Sequence, residues 1–101
     1  MTSKQRAYLK SMAMTIDPIM QIGKSEVTPE LTKAADEALE ARELIKIHVL
    51  KNCFVDLREI AETLADRTRS QVVQVIGRKI VLYRESGTKP KDKRIQLPTA
   101  R

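Results

Sequence analysis

Aromatic residues are scarce in this sequence, which holds two tyrosines, one phenylalanine and no tryptophan among 101 residues. Proteins that read RNA base by base on a sheet stack the bases on exposed strand aromatics. Only Tyr83 falls in a predicted strand where it could serve in this way. The composition therefore argues against a base-stacking sheet. If a nucleic acid is bound, we expect recognition of its backbone and shape.

Cysteine and histidine are equally scarce, with one residue of each, Cys53 and His48. A single cysteine excludes an intramolecular disulfide and is typical of a reducing compartment. One histidine and one cysteine at this spacing match no metal-binding motif. Cys53 lies between a predicted strand and a predicted helix, beside Phe54, so we expect a buried structural thiol. We predict no catalytic residue, no metal site and no cofactor; a thiol enzyme built on Cys53 and His48 is the alternative.

Long apolar runs are also absent, and none approaches the roughly 20 residues that span a bilayer. The N-terminus carries Lys4, Arg6 and Lys10 without the apolar stretch of a signal peptide. We therefore expect a cytoplasmic protein that has no membrane partner.

The length of 101 residues, of which 42% are hydrophobic, is typical of one folded domain. Apolar periodicity stops at Glu85, and Gly87, Pro90 and Pro98 follow among charged residues. We predict a domain over residues 1–85 and a basic, flexible tail over residues 86–101.

Positive charge is what the sequence has in excess, with 19 lysines and arginines against 13 acids and a formal net charge of +6. The predicted tail is basic, and most acids of the remainder fall within residues 36–43 and 56–66. If both segments are helices, their outer faces are acidic and cations dominate the rest of the surface. A surface polarised in this way can orient a polyanion.

Apolar patterns and turn signals predict seven elements in the order α-β-α-β-α-β-β. Helices are predicted over residues 3–14, 29–42 and 56–66, where apolar residues recur at i, i+3 and i+4 behind a capping residue. Strands are predicted over 19–22 and 44–50, followed by a hairpin over 71–84 that turns at Gly77. Strands that alternate with helices favour an α/β fold, here an α+β arrangement with a four-stranded mixed sheet packed against helices.

The loop after the first predicted strand, Gly23-Lys24-Ser25, has the parts of a phosphate cradle. Glycine lets a phosphate approach the backbone, the N-terminus of the following helix offers free N–H groups, and Lys24 adds a positive charge. A plain turn is an equally good interpretation of this spacing.

Further cations follow the predicted strands and extend this candidate site. They occur on the polar face of the strand over 44–50, just after it, at the hairpin tip and at the end of the last strand. Each of these cations could simply protect the sheet from aggregation through its edges. Because they all carry positive charge, they together favour an RNA-binding surface. The residues predicted to contact RNA are Gly23, Lys24, Ser25, Lys46, His48, Lys51, Arg78, Lys79 and Arg84.

Four segments together closely resemble the CRM domain, which is named for chloroplast RNA splicing and ribosome maturation: IMQIGKSEVT, EALEARELIKIHVL, DLREIAETLADRT and QVVQVIGRKIVLYR. The resemblance spans about residues 3–85 and is to the stand-alone bacterial YhbY-type proteins. It implies an RNA-binding fold similar to the C-terminal domain of translation initiation factor three and reminiscent of KH domains. It also implies association with precursors of the large ribosomal subunit, and hence with ribosomal RNA, during ribosome assembly.

The hallmark of the CRM family is a GxxG loop, which maps onto Gly23-Lys24-Ser25-Glu26. Glu26 stands where the second glycine belongs, and a carboxylate at that position opposes the approach of a phosphate. This departure shifts the expected affinity towards Lys46, Lys51 and the hairpin cations.

From the residues and the resemblance together, we predict a monomeric, non-enzymatic RNA-binding protein of ribosome assembly. The alternative from another class is a protein–protein adaptor whose basic surface docks an acidic partner. Both modes are electrostatic and depend on salt, so nuclease sensitivity of the complexes is the property that discriminates them.

Overall fold

The structure, a computed structural model, describes residues 1–24 and 27–99 of the chain. Its elements follow the predicted order α-β-α-β-α-β-β, so the mixed α/β architecture is confirmed. They are α1 Ser3–Ala13, β1 Met20–Ile22, α2 Pro29–Arg42, β2 Leu44–Val49, α3 Leu57–Thr68, β3 Gln71–Ile76 and β4 Lys79–Tyr83, followed by a short 3₁₀ turn at Lys91–Lys93.

Each helix begins after a side chain that accepts a backbone hydrogen bond. Thr2 and Gln5 form a reciprocal capping box at α1, with hydrogen bonds of 3.0 and 3.1 Å. Thr28 Oγ1 accepts from the Leu31 amide at 3.1 Å at the start of α2, and Asp56 caps α3 in the same way. Such caps satisfy amides that have no partner in the first helical turn, and each contributes roughly 1 kcal/mol.

The four strands form one mixed sheet in the order β1-β2-β4-β3. β1 is parallel to β2, and the other neighbouring strands are antiparallel. His48 lies opposite Lys79, and Leu44 lies opposite Tyr83. The sheet therefore has two ends. β1 and β2 finish at one end, where the β3–β4 turn also lies, and β4 finishes at the other end, where β2 begins.

One face of the sheet packs against α2 and α3 and forms the larger core. Side chains alternate along β2, so Ile45, Ile47 and Val49 point into this core and are fully buried. Leu39 of α2 and Leu64 of α3 belong to the same cluster. Burying an aliphatic side chain of this size contributes roughly 1.5–3 kcal/mol. The alternation of apolar residues in the sequence thus decides which face of β2 packs against α2 and α3.

The opposite face carries a smaller core, which α1 and the segment after β4 cover. Leu9 of α1 packs with Leu44 and Val81 of the sheet, and Ile95 and Leu97 lie against the cluster from the C-terminal segment. Both faces of the sheet are therefore partly covered. Only the part of this face that lies away from α1 and the C-terminal segment remains accessible.

Tyr83 lies in the smaller core and is only 6% exposed. The prediction that Tyr83 is placed for base stacking is wrong, because Ile95 and Leu97 pack over the cluster that contains its ring. Burial, with smaller contributions from the carboxylates of Glu43 and Glu85, raises the pKa of the Tyr83 phenol.

Glu43, which follows α2, fixes the C-terminal segment from inside the protein. Its side chain is fully buried and accepts hydrogen bonds from the amides of Ser86 at 2.8 Å and Ile95 at 2.6 Å. Its own carbonyl accepts from the Arg84 amide at 2.9 Å. One buried carboxylate is therefore satisfied by the backbone on both sides of the 3₁₀ turn.

Glu40, one helical turn earlier, holds the start of the same segment. One carboxylate oxygen accepts from the amides of Gly87 and Thr88 at 2.7 and 2.8 Å and from the hydroxyls of Ser86 and Thr88. The hydrogen bonds from the Thr88 and Ser86 hydroxyls are the main reason that the pKa of Glu40 is lowered from 4.5 to about 2. Residues 86–99 thus lie along the domain in this structure. The flexibility expected of this segment stays a prediction.

Candidate nucleic-acid interface

Most of the cations predicted to contact RNA meet at the end of the sheet where β1 and β2 finish. His48 lies opposite Lys79 in the antiparallel register, and Lys46 is two residues earlier on the same face of β2. Lys24 and Lys51 follow β1 and β2 at the same end. We call these five residues the basic end.

The basic end is accessible to a ligand. Lys24, Lys51 and Lys79 are exposed, and Lys46 and His48 are half-buried. Lys46 and Lys79 flank a shallow depression of about 250 Å³, whose wall includes Ile76 and Gln74. Cations spread over two strands and two loops in this way can contact several phosphates of one polyanion.

Gly23 fits closely against the loop that follows β2. The Leu50 amide donates to the Ile22 carbonyl at 2.7 Å. A Cβ atom added at Gly23 would lie 3.3 Å from Asn52 Oδ1 and 3.5 Å from Leu50 Cδ1. The loops after β1 and β2 thus lie in contact at the end of the sheet that carries Lys24 and Lys51. Of the predicted loop residues, Ser25 and Glu26 lie outside the described residues.

Arg78 is at the hairpin tip, as predicted, but its guanidinium is directed to the neighbouring backbone. Nε donates to the Val49 carbonyl at 2.9 Å, and Nη2 donates to the carbonyls of Leu50 at 2.6 Å and Cys53 at 3.3 Å. The side chain therefore ties the β3–β4 turn to the loop after β2. Reversing the charge of Arg78 would disturb this loop as well as any bound phosphate, so Lys79 is the cleaner position for testing the interface.

Arg84 is separated from the other predicted cations, because β4 ends at the opposite end of the sheet. Nη1 lies 2.5 Å from Asp36 Oδ1 and 2.7 Å from the Thr68 carbonyl, and Nη2 lies 3.1 Å from Glu40 Oε1. The side chain is 17% exposed. Arg84 thus joins α2, α3 and β4, and we leave it out of the proposed RNA contacts.

Ion pairs are concentrated away from the basic end. Within residues 1–24 and 27–99, contacts of 4.0 Å or less between a cation and a carboxylate involve only Arg84 and Arg94. We call the group formed by Asp36, Glu40, Arg84, Glu85 and Arg94 the paired end. The positive potential of the basic end is therefore not cancelled by ion pairs among the residues described.

The residues considered for thiol chemistry lie apart in the fold. Cys53 is buried in the larger core, as predicted, whereas His48 projects from the opposite face of β2. A Cys53–His48 nucleophile pair is therefore not assembled. The described part of the chain holds no group of three or more His, Cys, Asp or Glu side chains that could bind a metal ion. No helix in the same ranges is long and apolar enough to cross a membrane.

Phe54 is the surface residue that sequence reasoning missed. In the sequence it is simply the neighbour of Cys53, for which burial is predicted, yet it is 91% exposed. Its position in the loop after β2 places it close in sequence to Lys51 of the basic end. Nothing in the local pattern distinguishes an inward from an outward Phe54, because Cys53 and Val55 on either side are apolar too.

Most of the chain matches a known protein domain. The profile of the CRS1 / YhbY (CRM) domain matches residues 1–84. This chain belongs to the CRM domain family. The predicted resemblance, which rested on four sequence segments, is thereby confirmed.

Relatives of similar length carry names that refer to RNA. A Bacillus subtilis protein named "Probable RNA-binding protein YqeI" is 49% identical over 98 residues, which cover 97% of this chain and 99% of that protein. A Haemophilus influenzae protein named "RNA-binding protein" is 31% identical over 98 residues, which cover 97% of this chain and 95% of its relative.

A solved structure shares the fold. The solution structure of a hypothetical Staphylococcus aureus protein, described as an RNA-binding candidate, is 54% identical and superposes with a TM-score of 0.78. The match covers 97% of this chain and 100% of the other. The three helices and the four-stranded mixed sheet are thus those of a protein with closely related sequence.

Proposed function

We propose that this protein binds RNA through the basic end of its sheet and has no catalytic role. The observation that carries the proposal is the convergence of Lys24, Lys46, His48, Lys51 and Lys79 at one end, whereas the ion pairs found in the described residues lie elsewhere. The names of the relatives, and the description of the Staphylococcus aureus protein, support RNA as the ligand.

The proposed contacts are chiefly to phosphates. Lysine ammonium groups interact with phosphates as point charges and carry no base sequence information. The sheet offers no stacking platform, since Tyr83 is buried beneath Ile95 and Leu97. Gly23 and Ser25 complete the proposed contact set, with Gly23 allowing close approach and Ser25 lying outside the described residues. Arg78 supports the surface by fixing the loop that carries Lys51.

The RNA that we propose is ribosomal RNA within a precursor of the large ribosomal subunit, and the role is in ribosome assembly in the cytoplasm. The resemblance to the stand-alone bacterial branch of the CRM family supports this assignment. The protein would act as a monomer. A small basic domain fits a factor that binds a folding RNA.

The test is a sucrose gradient of cell lysate at low salt, probed for the protein with and without ribonuclease. We expect a peak with free large subunits or their precursors that is lost on nuclease treatment. A peak at the top of the gradient that nuclease does not move would contradict the proposal and favour an adaptor that docks an acidic protein. A Lys46→Glu/Lys79→Glu variant should leave the large-subunit fractions, which links the peak to the basic end.

A further inference from the structure

Phe54 is the most exposed of the large apolar side chains in the described part of the chain, at 91%. A side chain left in water gains none of the roughly 1.5–3 kcal/mol that burial of a phenylalanine contributes to folding. Single exposed apolar residues are common on protein surfaces, so exposure alone assigns no role. What distinguishes Phe54 is the rigidity of the loop that carries it and the charges around that loop.

The backbone on both sides of Phe54 is held in place. The preceding residue, Cys53, is buried, its amide donates to the Leu50 carbonyl at 3.1 Å, and its carbonyl accepts from Arg78 at 3.3 Å. Two residues after Phe54, Asp56 caps α3. The ring is thus presented from a fixed loop, so little additional order of the backbone is needed when a ligand is bound.

The same loop contributes to the basic end. Lys51 is three residues before Phe54, and Asn52 lies against Gly23, the residue before Lys24. A polyanion bound at Lys24 and Lys51 would therefore pass this loop. An exposed aromatic ring beside a track of phosphate-binding cations is the arrangement used to stack the bases of single-stranded nucleic acids.

We propose that Phe54 stacks on an unpaired base of the bound RNA, so that the ligand is an RNA with single-stranded nucleotides rather than a continuous duplex. This inference rests on the proposed RNA binding and adds the kind of RNA that is preferred. In a duplex the base faces are covered by their neighbours, and a side chain on the outside reaches only the backbone and the groove edges. The cations of the basic end would bind the phosphates of either form, and Phe54 would account for the preference for unpaired RNA.

The experiment compares two RNA probes of the same sequence at the same salt concentration, a single strand of about 12 nucleotides and its fully paired duplex. Phe54→Ala should weaken binding of the single strand about tenfold or more, the effect typical of a lost base stack, and should leave duplex binding unchanged. Phe54→Leu keeps an apolar side chain without an aromatic face and should behave like Phe54→Ala. Tyr8→Ala, which removes a 41%-exposed aromatic from α1, is the matched control and should change neither affinity.

Phe54→Trp provides an independent readout, because the chain has no other tryptophan. Its fluorescence should be quenched by the single strand, with affinity retained, and should respond weakly to the duplex. The proposal is overturned if Phe54→Ala weakens both probes equally or neither, if Phe54→Leu binds like the intact protein, or if the intact protein does not bind the single strand.

Failure of the proposed function has a different signature. If Lys46→Glu/Lys79→Glu binds both probes as well as the intact protein, the basic end is not the RNA site. If that variant loses binding while Phe54→Ala does not, the basic end stands and only the role of Phe54 is refuted. Because Phe54 is exposed, Phe54→Ala should also keep the urea unfolding midpoint of the intact protein, which excludes misfolding as the cause of a loss.

Discussion

Cations occur at both ends of the sheet, but among the described residues only at one end are they paired with carboxylates. At the paired end, Arg84 binds two carboxylates of α2 and a carbonyl of α3, and its side chain is only 17% exposed. At the basic end, Lys46 and Lys79 flank an open depression. The presence of cations alone would assign both ends to RNA. Their contacts show that one end uses cations to join elements of the fold and that the other leaves them facing solvent.

The comparison teaches that a cation is a candidate RNA contact only after its partners within the fold are known. Arg78 is the intermediate case. It lies at the basic end, yet it donates to three backbone carbonyls and shapes the loop that carries Lys51. Four predictions separate the two ends, beginning with the largest expected effect.

Arg84→Ala should lower the free energy of unfolding by about 2 kcal/mol, because it leaves Asp36, Glu40 and the Thr68 carbonyl without their shared donor. Urea unfolding measures this change. The RNA affinity of the folded variant should stay within about twofold of the intact protein, a change of under ~0.5 kcal/mol. Arg94→Ala is the control. Arg94 lies 3.9 Å from the exposed Glu85, and losing this contact should cost less than about 0.5 kcal/mol. If the Arg84→Ala protein kept its stability but bound RNA more weakly, Arg84 would be an RNA contact and not a structural residue.

Lys46→Glu/Lys79→Glu should weaken RNA binding more than tenfold, which corresponds to at least about 1.4 kcal/mol. The dependence of log Kd on log salt should also become shallower by about 2, one for each lost phosphate contact. The matched control, Lys4→Glu/Lys91→Glu, makes the same change in net charge at exposed positions outside the basic end. Equal losses in the two double variants would mean that only net charge matters and that no defined interface exists.

Glu43→Gln should destabilise the protein by about 1 kcal/mol. The buried carboxylate accepts from two amides, and the glutamine side chain would direct its NH₂ group at one of them. Hydrogen exchange should accelerate at Ser86 and Ile95, which lie on either side of the 3₁₀ turn. Glu85→Gln is the control at an exposed neighbour. Unchanged exchange at both amides would show that Glu43 does not hold the C-terminal segment in solution.

The smallest effect concerns Glu40. The pKa of this carboxyl is lowered to about 2, mainly by hydrogen bonds from the Thr88 and Ser86 hydroxyls. A depressed pKa in the folded state means that the contribution to stability is present above about pH 4.5 and is lost as the pH falls towards 2. The amide NMR signals of Gly87 and Thr88 should follow this titration. A midpoint near 4.5 would contradict these contacts.

Local sequence signals predicted the three α-helices and the four strands of the described residues, though not the 3₁₀ turn at Lys91–Lys93, because caps, apolar stripes and β-branched runs act over a few residues. A capping residue was expected at the start of each helix, and Thr2, Thr28 and Asp56 take this role. The alternation in β2 also placed Lys46 and His48 on the face opposite the larger core. These features depend on spacing along the chain, and spacing is visible in a sequence.

Contacts between distant residues were not predictable in this way. Arg84 and Asp36 are 48 positions apart, and no local pattern tells a paired arginine from one that faces solvent. The burial of Tyr83 depends on Ile95 and Leu97, two apolar residues in a segment whose charges and prolines suggested a flexible tail. Phe54 shows the same limit, since its exposure follows from how Cys53 and Arg78 fix the loop.

The most direct test of the central claim is an NMR titration of the isotope-labelled protein with an RNA fragment of the large ribosomal subunit that the intact protein binds. Amide signals should shift at the basic end, including Gly23, Lys24, Lys51 and Lys79, and stay in place at Asp36 and Arg84. The reverse pattern, or shifts spread evenly over both ends, would contradict the account.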